Sequence, residues 1–273
     1  MSESPEATSE FARAREALLG ACEEMKKRLV GLADSHGRIG DEIHQVRKLG
    51  KRLRGGLAIV GEPKPCLRWI AVIGRMLSGA RDSHVRIRTW RSLGVESTVT
   101  GAVESAIASL LELEADAALR RPPQGVIGWS LAAVQQVQCR IEACSPENLA
   151  QRAEKGAGHL KRRLKKRLKR TLDRVDNEDF HECRKAAKAW LGGMALVAPD
   201  LDLPGKEETE KLSSNLGDEN DLEVLAQWLE SRGFSQATAK TAWKVLRKRQ
   251  EKIRRRSISM IRKDLLPALE AKG

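Results

Sequence analysis

Apolar residues recur at three- and four-residue spacing along almost the whole chain. This period is typical of amphipathic helices that bury one face. The alternation of apolar and polar residues that marks strands is nearly absent, so the pattern predicts an all-α protein. We expect helices near 5–33, 41–60, 66–79, 83–93, 97–119, 127–143, 146–174, 178–197, 206–216, 221–231 and 236–266, with a connecting loop at 200–205.

Two of these helices carry the same histidine-led basic motif, 137 positions apart. The motif His-x-x-Arg-Lys-x-x-Lys begins at His44 and again at His181, and a Gly-Gly pair follows each copy, at 55–56 and 192–193. A repeated hydrophobic core requires only that apolar positions repeat. Repetition of charged positions indicates a charged partner.

On a helical projection, the basic residues of each copy fall within about 80° of the histidine. No acidic residue lies among them, and the opposite face is apolar: Val46, Leu49, Leu53, Leu57 and Val60 in one helix, Cys183, Trp190, Met194 and Val197 in the other. Like charges at these spacings repel, so each basic face predicts an anionic ligand. Gly55 and Gly192 lie near the histidines and predict close approach of a ligand or a crossing helix.

The duplication extends over both halves of the chain. Ser4-Pro5-Glu6 and Ser145-Pro146-Glu147 both read as helix starts. A motif Leu-x-x-x-(Arg/Asn)-Asp-x-x-Val ends at Val85 and at Val224, and its aspartates are predicted N-caps (Asp82, Asp221). Trp90 and Trp228, then Gly94 and Gly233, follow at matching places and predict packing and helix ends. We predict one domain, 1–273, of two pseudo-equivalent halves, 4–144 and 145–270, with the two histidine helices adjacent.

These blocks, in this order, resemble the CHAD family, the conserved histidine α-helical domain. The resemblance covers nearly the whole chain and depends on the two histidine helices and the two aspartate motifs. It implies two four-helix-bundle-like halves around a pseudo-twofold axis. It also implies a basic central cavity or pore that binds inorganic polyphosphate without catalysis. The second copy departs from the first, with Ala189 and Leu191 in place of Arg52 and Arg54, so we expect its helix to be less cationic.

We expect polyphosphate to contact the basic residues of both motifs and of the helices that precede them. These residues are His44, Arg47, Lys48, Lys51, Arg52, Arg54, Lys27, Arg28, Arg81, His181, Arg184, Lys185, Lys188, Arg163, Lys166 and Arg167. The histidines could instead bond a backbone group or ligate a metal. No second histidine or acid stands four residues away within either motif, which disfavours a metal site.

A net charge of +13 and a pI near 9.8 also indicate a polyanionic partner. Nucleic acid is therefore a rival ligand, although no aromatic residues for base stacking interleave the basic motifs. An adaptor that docks on polyphosphate granules or on a partner enzyme is a third possibility. The basic run at 161–170 keeps a leucine stripe, so it predicts a packed helix with a basic outer surface.

Signals of other classes are missing. The chain has no phosphate-binding glycine loop, no nucleophile elbow and no zinc-protease motif, so we expect no enzyme, no cofactor and no metal. Its five cysteines form no CxxC pair. No apolar run approaches the length of a membrane span. Together these features predict a cytoplasmic protein.

Overall fold

The computed structural model describes residues 10–34, 39–94, 101–117 and 122–271, without the side chains of Asp34, Ala80 and Arg81. No strand occurs in these ranges, so the all-α prediction is confirmed. The helices are α1 (Ala14–Asp34), α2 (Ile39–Ile59), α3 (Lys64–Met76), α4 (Ser78–Ser92), α5 (Ala102–Ala117), α6 (Gln124–Glu142), α7 (Pro146–Arg174), α8 (Asn177–Val197), α9 (Lys206–Ser231), α10 (Lys240–Met260) and, after a π-helical turn (Ile261–Leu265), α11 (Leu266–Glu270).

Several helix ends follow from local sequence signals. The Ser145 hydroxyl accepts a hydrogen bond from the Asn148 amide at 3.2 Å, which caps α7 one residue before Pro146, as predicted. Gly94 and Gly233 adopt φ of 67° and 80° just beyond α4 and α9, a left-handed conformation that glycine accepts without strain. The corresponding start at Ser4 lies outside the described residues.

Several predictions about helix boundaries are wrong. The helices expected at 206–216 and 221–231 form the single helix α9, because buried residues, among them Leu216, Glu219 and Leu222, continue across the expected break. The helix expected at 236–266 begins at Lys240 and passes into the π-helical turn. The helix expected at 83–93 begins at Ser78, so Asp82 lies inside α4. Asp221 lies inside α9, and neither aspartate is an N-cap.

The helices enclose two hydrophobic cores. The larger core lies among α1, α2, α3, α6, α7, α8 and the first half of α9, and it includes the predicted apolar faces of α2 and α8. The smaller core joins α4 and α5 to the second half of α9 and α10; Trp90 and Trp228 pack there, as predicted. Both cores contain residues of both sequence halves, and the pseudo-twofold relation between the halves stays a prediction.

The two histidine helices pack directly on each other, because glycine allows their backbones to meet. A Cβ atom on Gly55 would lie 2.7 Å from the Gly193 nitrogen and 2.8 Å from the Ala189 oxygen. The predicted close approach at Gly55 is therefore that of a crossing helix. At the far end of α2, a Cβ atom on Gly156 of α7 would lie only 1.7 Å from the Ile59 carbonyl oxygen. Helix α2 is thus held tightly between α8 and α7.

A buried carboxylate holds the end of α2 in place. The side chain of Glu62 is 3% exposed, and its two oxygens lie 3.3 Å from Arg140 of α6 and 2.9 Å from Arg152 of α7. A buried charge needs such partners, because removing it from water is costly. This ion-pair group fixes α2 against both neighbours.

No helix in the described part of the chain has the length and apolarity needed to cross a membrane.

Candidate anion-binding cleft

A cleft of about 770 Å³ opens where α2, α3, α7 and α8 meet α4 and α9. Ten lysine and arginine side chains line it, and the only acidic residues in its described lining are Asp82 and Asp221. The cations come from four helices: Arg47, Lys51 and Arg54 from α2, Lys64, Arg68 and Arg75 from α3, Arg163 from α7, and Arg184, Lys185 and Lys188 from α8. The cleft therefore has a strong excess of positive charge.

The pairing of α2 with α8 brings both copies of the basic motif to this cleft. Each basic face points away from the core because the opposite face is buried among leucine, valine and tryptophan side chains. The Arg47 guanidinium donates a hydrogen bond to the Gly74 carbonyl of α3, which orients it along the cleft wall. Three cations of α2 and three of α8 thus share one cavity.

Cations in the cleft are close enough to influence each other. Burial lowers the pKa of Arg54, and the positive charges of Arg75 and Arg163 lower it further. This direction is the one expected when a guanidinium loses water and lies near other cations. Three helices therefore direct positive charge at one region, where an anion would relieve the repulsion.

The two histidines line different cavities. His181 lines the main cleft, and its Nδ1 lies 3.1 Å from the Asn220 amide oxygen of α9. His44 lines a second cavity of about 590 Å³, together with Lys48 and Arg52. The two cavities share Arg47, Lys51 and Lys188, so the cationic lining is continuous between them.

One feature predicted for the second motif is wrong, because an acidic residue does accompany it. The Glu182 carboxylate lies 2.8 Å from Lys185 and 3.4 Å from Arg167. The hydrogen bond from Lys185 is the largest cause that lowers the pKa of Glu182. The carboxylate is therefore held in its ionised form and offsets part of the positive charge at this end of α8.

Some of the predicted ligand residues lie elsewhere. Arg28 forms ion pairs with Glu24 and Glu42, at 2.6 and 3.2 Å, and Lys27 is exposed outside both cavities. Lys166 lies on the outer surface of α7, and Arg167 is paired with Glu182. The Arg81 side chain is outside the described residues. The structure therefore gathers the residues of the two motifs, with Arg163, and separates them from the rest.

Sequence reasoning missed the wall formed by α3. Lys64, Arg68 and Arg75 are spaced four and seven residues apart, which places them on one helix face. This spacing was the available signal, but α3 lacks a histidine and its basic residues are not repeated in the second half.

Among the described residues, no group of three or more histidine, cysteine or carboxylate side chains could hold a metal ion.

The arrangement defines an all-α protein whose two histidine-bearing helices cross and carry a cation-lined cleft. The chain belongs to the CHAD family, because the family model of the CHAD domain matches residues 16–230. A crystal structure of the CHAD domain from the plant Ricinus communis has the same fold, with a TM-score of 0.55 and 18% sequence identity, covering 96% of this chain and 92% of that one. The comparison with curated proteins gave no match.

Proposed function

We propose that this protein binds inorganic polyphosphate in the cleft, without catalysing a reaction on it. The observation that carries the proposal is the convergence of ten lysine and arginine side chains from four helices on one cavity. Polyphosphate is a flexible polymer with a regular row of anionic oxygens and no bases. Its affinity comes from many ionic contacts and from counterion release, which a cation-lined cleft supplies. CHAD family membership supports the same ligand.

Arginine and lysine have different parts in such a site. The arginines offer paired N–H donors that match neighbouring phosphate oxygens, and the lysines act as point charges. Burial removes water from Arg54, so an oxygen placed beside it gains a charge-assisted bond in a poorly hydrated site. The adjoining His44 cavity extends the cationic lining, which suits a long polymer that occupies both cavities.

Nucleic acid is the rival ligand, and the cleft disfavours it. Single-strand binding proteins stack bases on aromatic side chains, yet the described lining of the main cleft contains neither tryptophan nor phenylalanine. The lining instead offers cations and aliphatic residues.

In the cell, we propose a cytoplasmic role as a binding module. The same module would serve to dock the protein on polyphosphate granules or to bring a partner enzyme to them.

A direct titration tests the proposal. We expect long-chain polyphosphate to bind much more tightly than single-stranded DNA at the same salt concentration, with both affinities measured at two salt concentrations. The logarithm of the polyphosphate affinity should fall steeply with the logarithm of salt concentration, because many counterions are released. DNA affinity equal to or above that of polyphosphate would replace this proposal with nucleic-acid binding.

Polyphosphate affinity should also increase as the pH falls from about 8 to about 6, because an imidazolium adds a positive charge to the site. His181 lines the main cleft, so replacing it tests whether that imidazole contributes to the change. The measurement is a pH series of binding isotherms for the wild type and for His181→Gln. If the wild-type affinity does not change with pH, the histidines are structural. If the affinity of the variant changes with pH as much as that of the wild type, a group other than His181 causes the effect.

A further inference from the structure

Two carboxylates lie in a cleft that otherwise attracts anions. Asp82 of α4 and Asp221 of α9 both line the main cavity, opposite the basic helices. They occupy the same place in the duplicated Leu-x-x-x-(Arg/Asn)-Asp-x-x-Val motif, so the acid is present in both halves of the sequence. Neither aspartate caps a helix, because both lie in helix interiors. A capping role therefore does not explain them.

Their surroundings indicate an electrostatic role. Asp82 also lines a recess of about 340 Å³ together with Arg47, Lys51, Arg54 and Arg75. Asp221 is 18% exposed, and its Oδ2 lies 3.5 Å from Arg88, a 74% exposed side chain that is not part of the cleft lining. A pair with so exposed a partner is weak, since water screens it. Both carboxylates thus remain able to act on the cleft.

We propose that Asp82 and Asp221 limit the affinity of the cleft for its polyanion, an inference that rests on the proposed function. In the empty cleft, the two negative charges offset part of the repulsion among the ten cations and stabilise the unliganded protein. When a phosphate chain enters, the same charges oppose it, since like charges at a binding site are unfavourable. The aspartates therefore favour release and keep the bound polymer exchangeable.

The test replaces both carboxylates by neutral side chains of similar shape, Asp82→Asn and Asp221→Asn. Polyphosphate affinity should increase at least about tenfold, because two like charges no longer oppose the bound phosphates. The dissociation rate should decrease accordingly. Without ligand, the double variant should unfold at a lower temperature in low salt, and added salt should reduce the difference because it screens the cations.

A matched control removes two acidic charges outside the cleft. Asp200 and Asp202 are exposed in the loop before α9, so Asp200→Asn with Asp202→Asn gives the same change in net charge. We expect this control to bind within about twofold of the wild type, because exposed charges are strongly screened.

Two outcomes separate this inference from the proposed function. Failure of the wild type to bind polyphosphate would overturn the proposed function, and the unfolding comparison in low salt would still test the carboxylates. If the wild type binds but the folded double variant binds equally or less tightly, the aspartates position the cations and the inference is wrong. An equal gain in the loop control would also contradict it, since net charge alone would then account for the effect.

Discussion

Polyphosphate affinity should fall at least about a hundredfold when alanine replaces four cations of the main cleft: Arg47, Lys51, Arg184 and Lys188. Charge-assisted phosphate contacts contribute about 1.5–3 kcal/mol each, although not additively. The slope of log affinity against log salt should flatten, because fewer counterions are released. The apolar faces of α2 and α8 stay intact, so the variant should keep its helical circular dichroism. Isothermal titration at two salt concentrations measures both effects.

The control for this variant must remove four cations that do not face the cleft. Lys244, Lys248, Lys252 and Arg256 are all exposed on α10, which contributes no residue to either cavity lining. Alanine at these four positions should change the affinity several-fold at most. If the control loses as much affinity as the cleft variant, binding is spread over the basic surface and the cleft has no special role. Normal polyphosphate binding by the cleft variant, with loss of DNA binding, would favour nucleic acid as the ligand.

The largest effect on stability is expected from Gly156→Ala. The added Cβ would lie 1.7 Å from the Ile59 carbonyl oxygen, which belongs to the backbone and cannot rotate away like a side chain. Helices α7 and α2 must separate, and overpacking of this kind costs about 1–3 kcal/mol or more. We expect the free energy of unfolding to fall by about 3 kcal/mol. Urea unfolding followed by circular dichroism measures this change.

A second glycine on the same helix supplies the control. A Cβ on Gly158 meets only the Arg162 side chain, at 3.4 Å, so Gly158→Ala should fit. Alanine is the better helix former, and this variant should gain about 0.5–1 kcal/mol. Opposite signs for two substitutions two residues apart would locate the effect in the contact with α2. Equal, small effects would show that α7 can shift freely.

The helical class, several helix ends and the pairing of the two histidine helices could be predicted from the sequence. These features depend on local signals that one chain displays, namely a 3.6-residue period, a Ser145 cap and a duplicated motif. The continuity of α9 was not predicted, because Asp221 is a favoured capping residue. Its neighbours Leu216 and Leu222 are buried in the larger and the smaller core, and packing against both cores keeps the helix continuous, which is a tertiary effect.

The candidate site could be predicted only where it repeats. His181, Arg184 and Lys188 were found because the first motif matches them, whereas the basic face of α3 has no second copy. Proximity along the chain was a poor guide, since Arg28 and Arg167 belong to the expected basic segments and are held by carboxylates instead. Which cation faces a shared cavity depends on how the helices pack, and that information is not local.

The smaller core has a consequence for synthesis of the protein on the ribosome. Trp90, Ile107 and Leu111 pack there against Leu225 and Leu246, whose helices are made much later. Until α9 and α10 emerge, the nascent chain must keep these apolar side chains of α4 and α5 exposed or cover them temporarily. Premature termination before α9 would therefore release a product with an exposed apolar surface, which chaperones and proteases recognise.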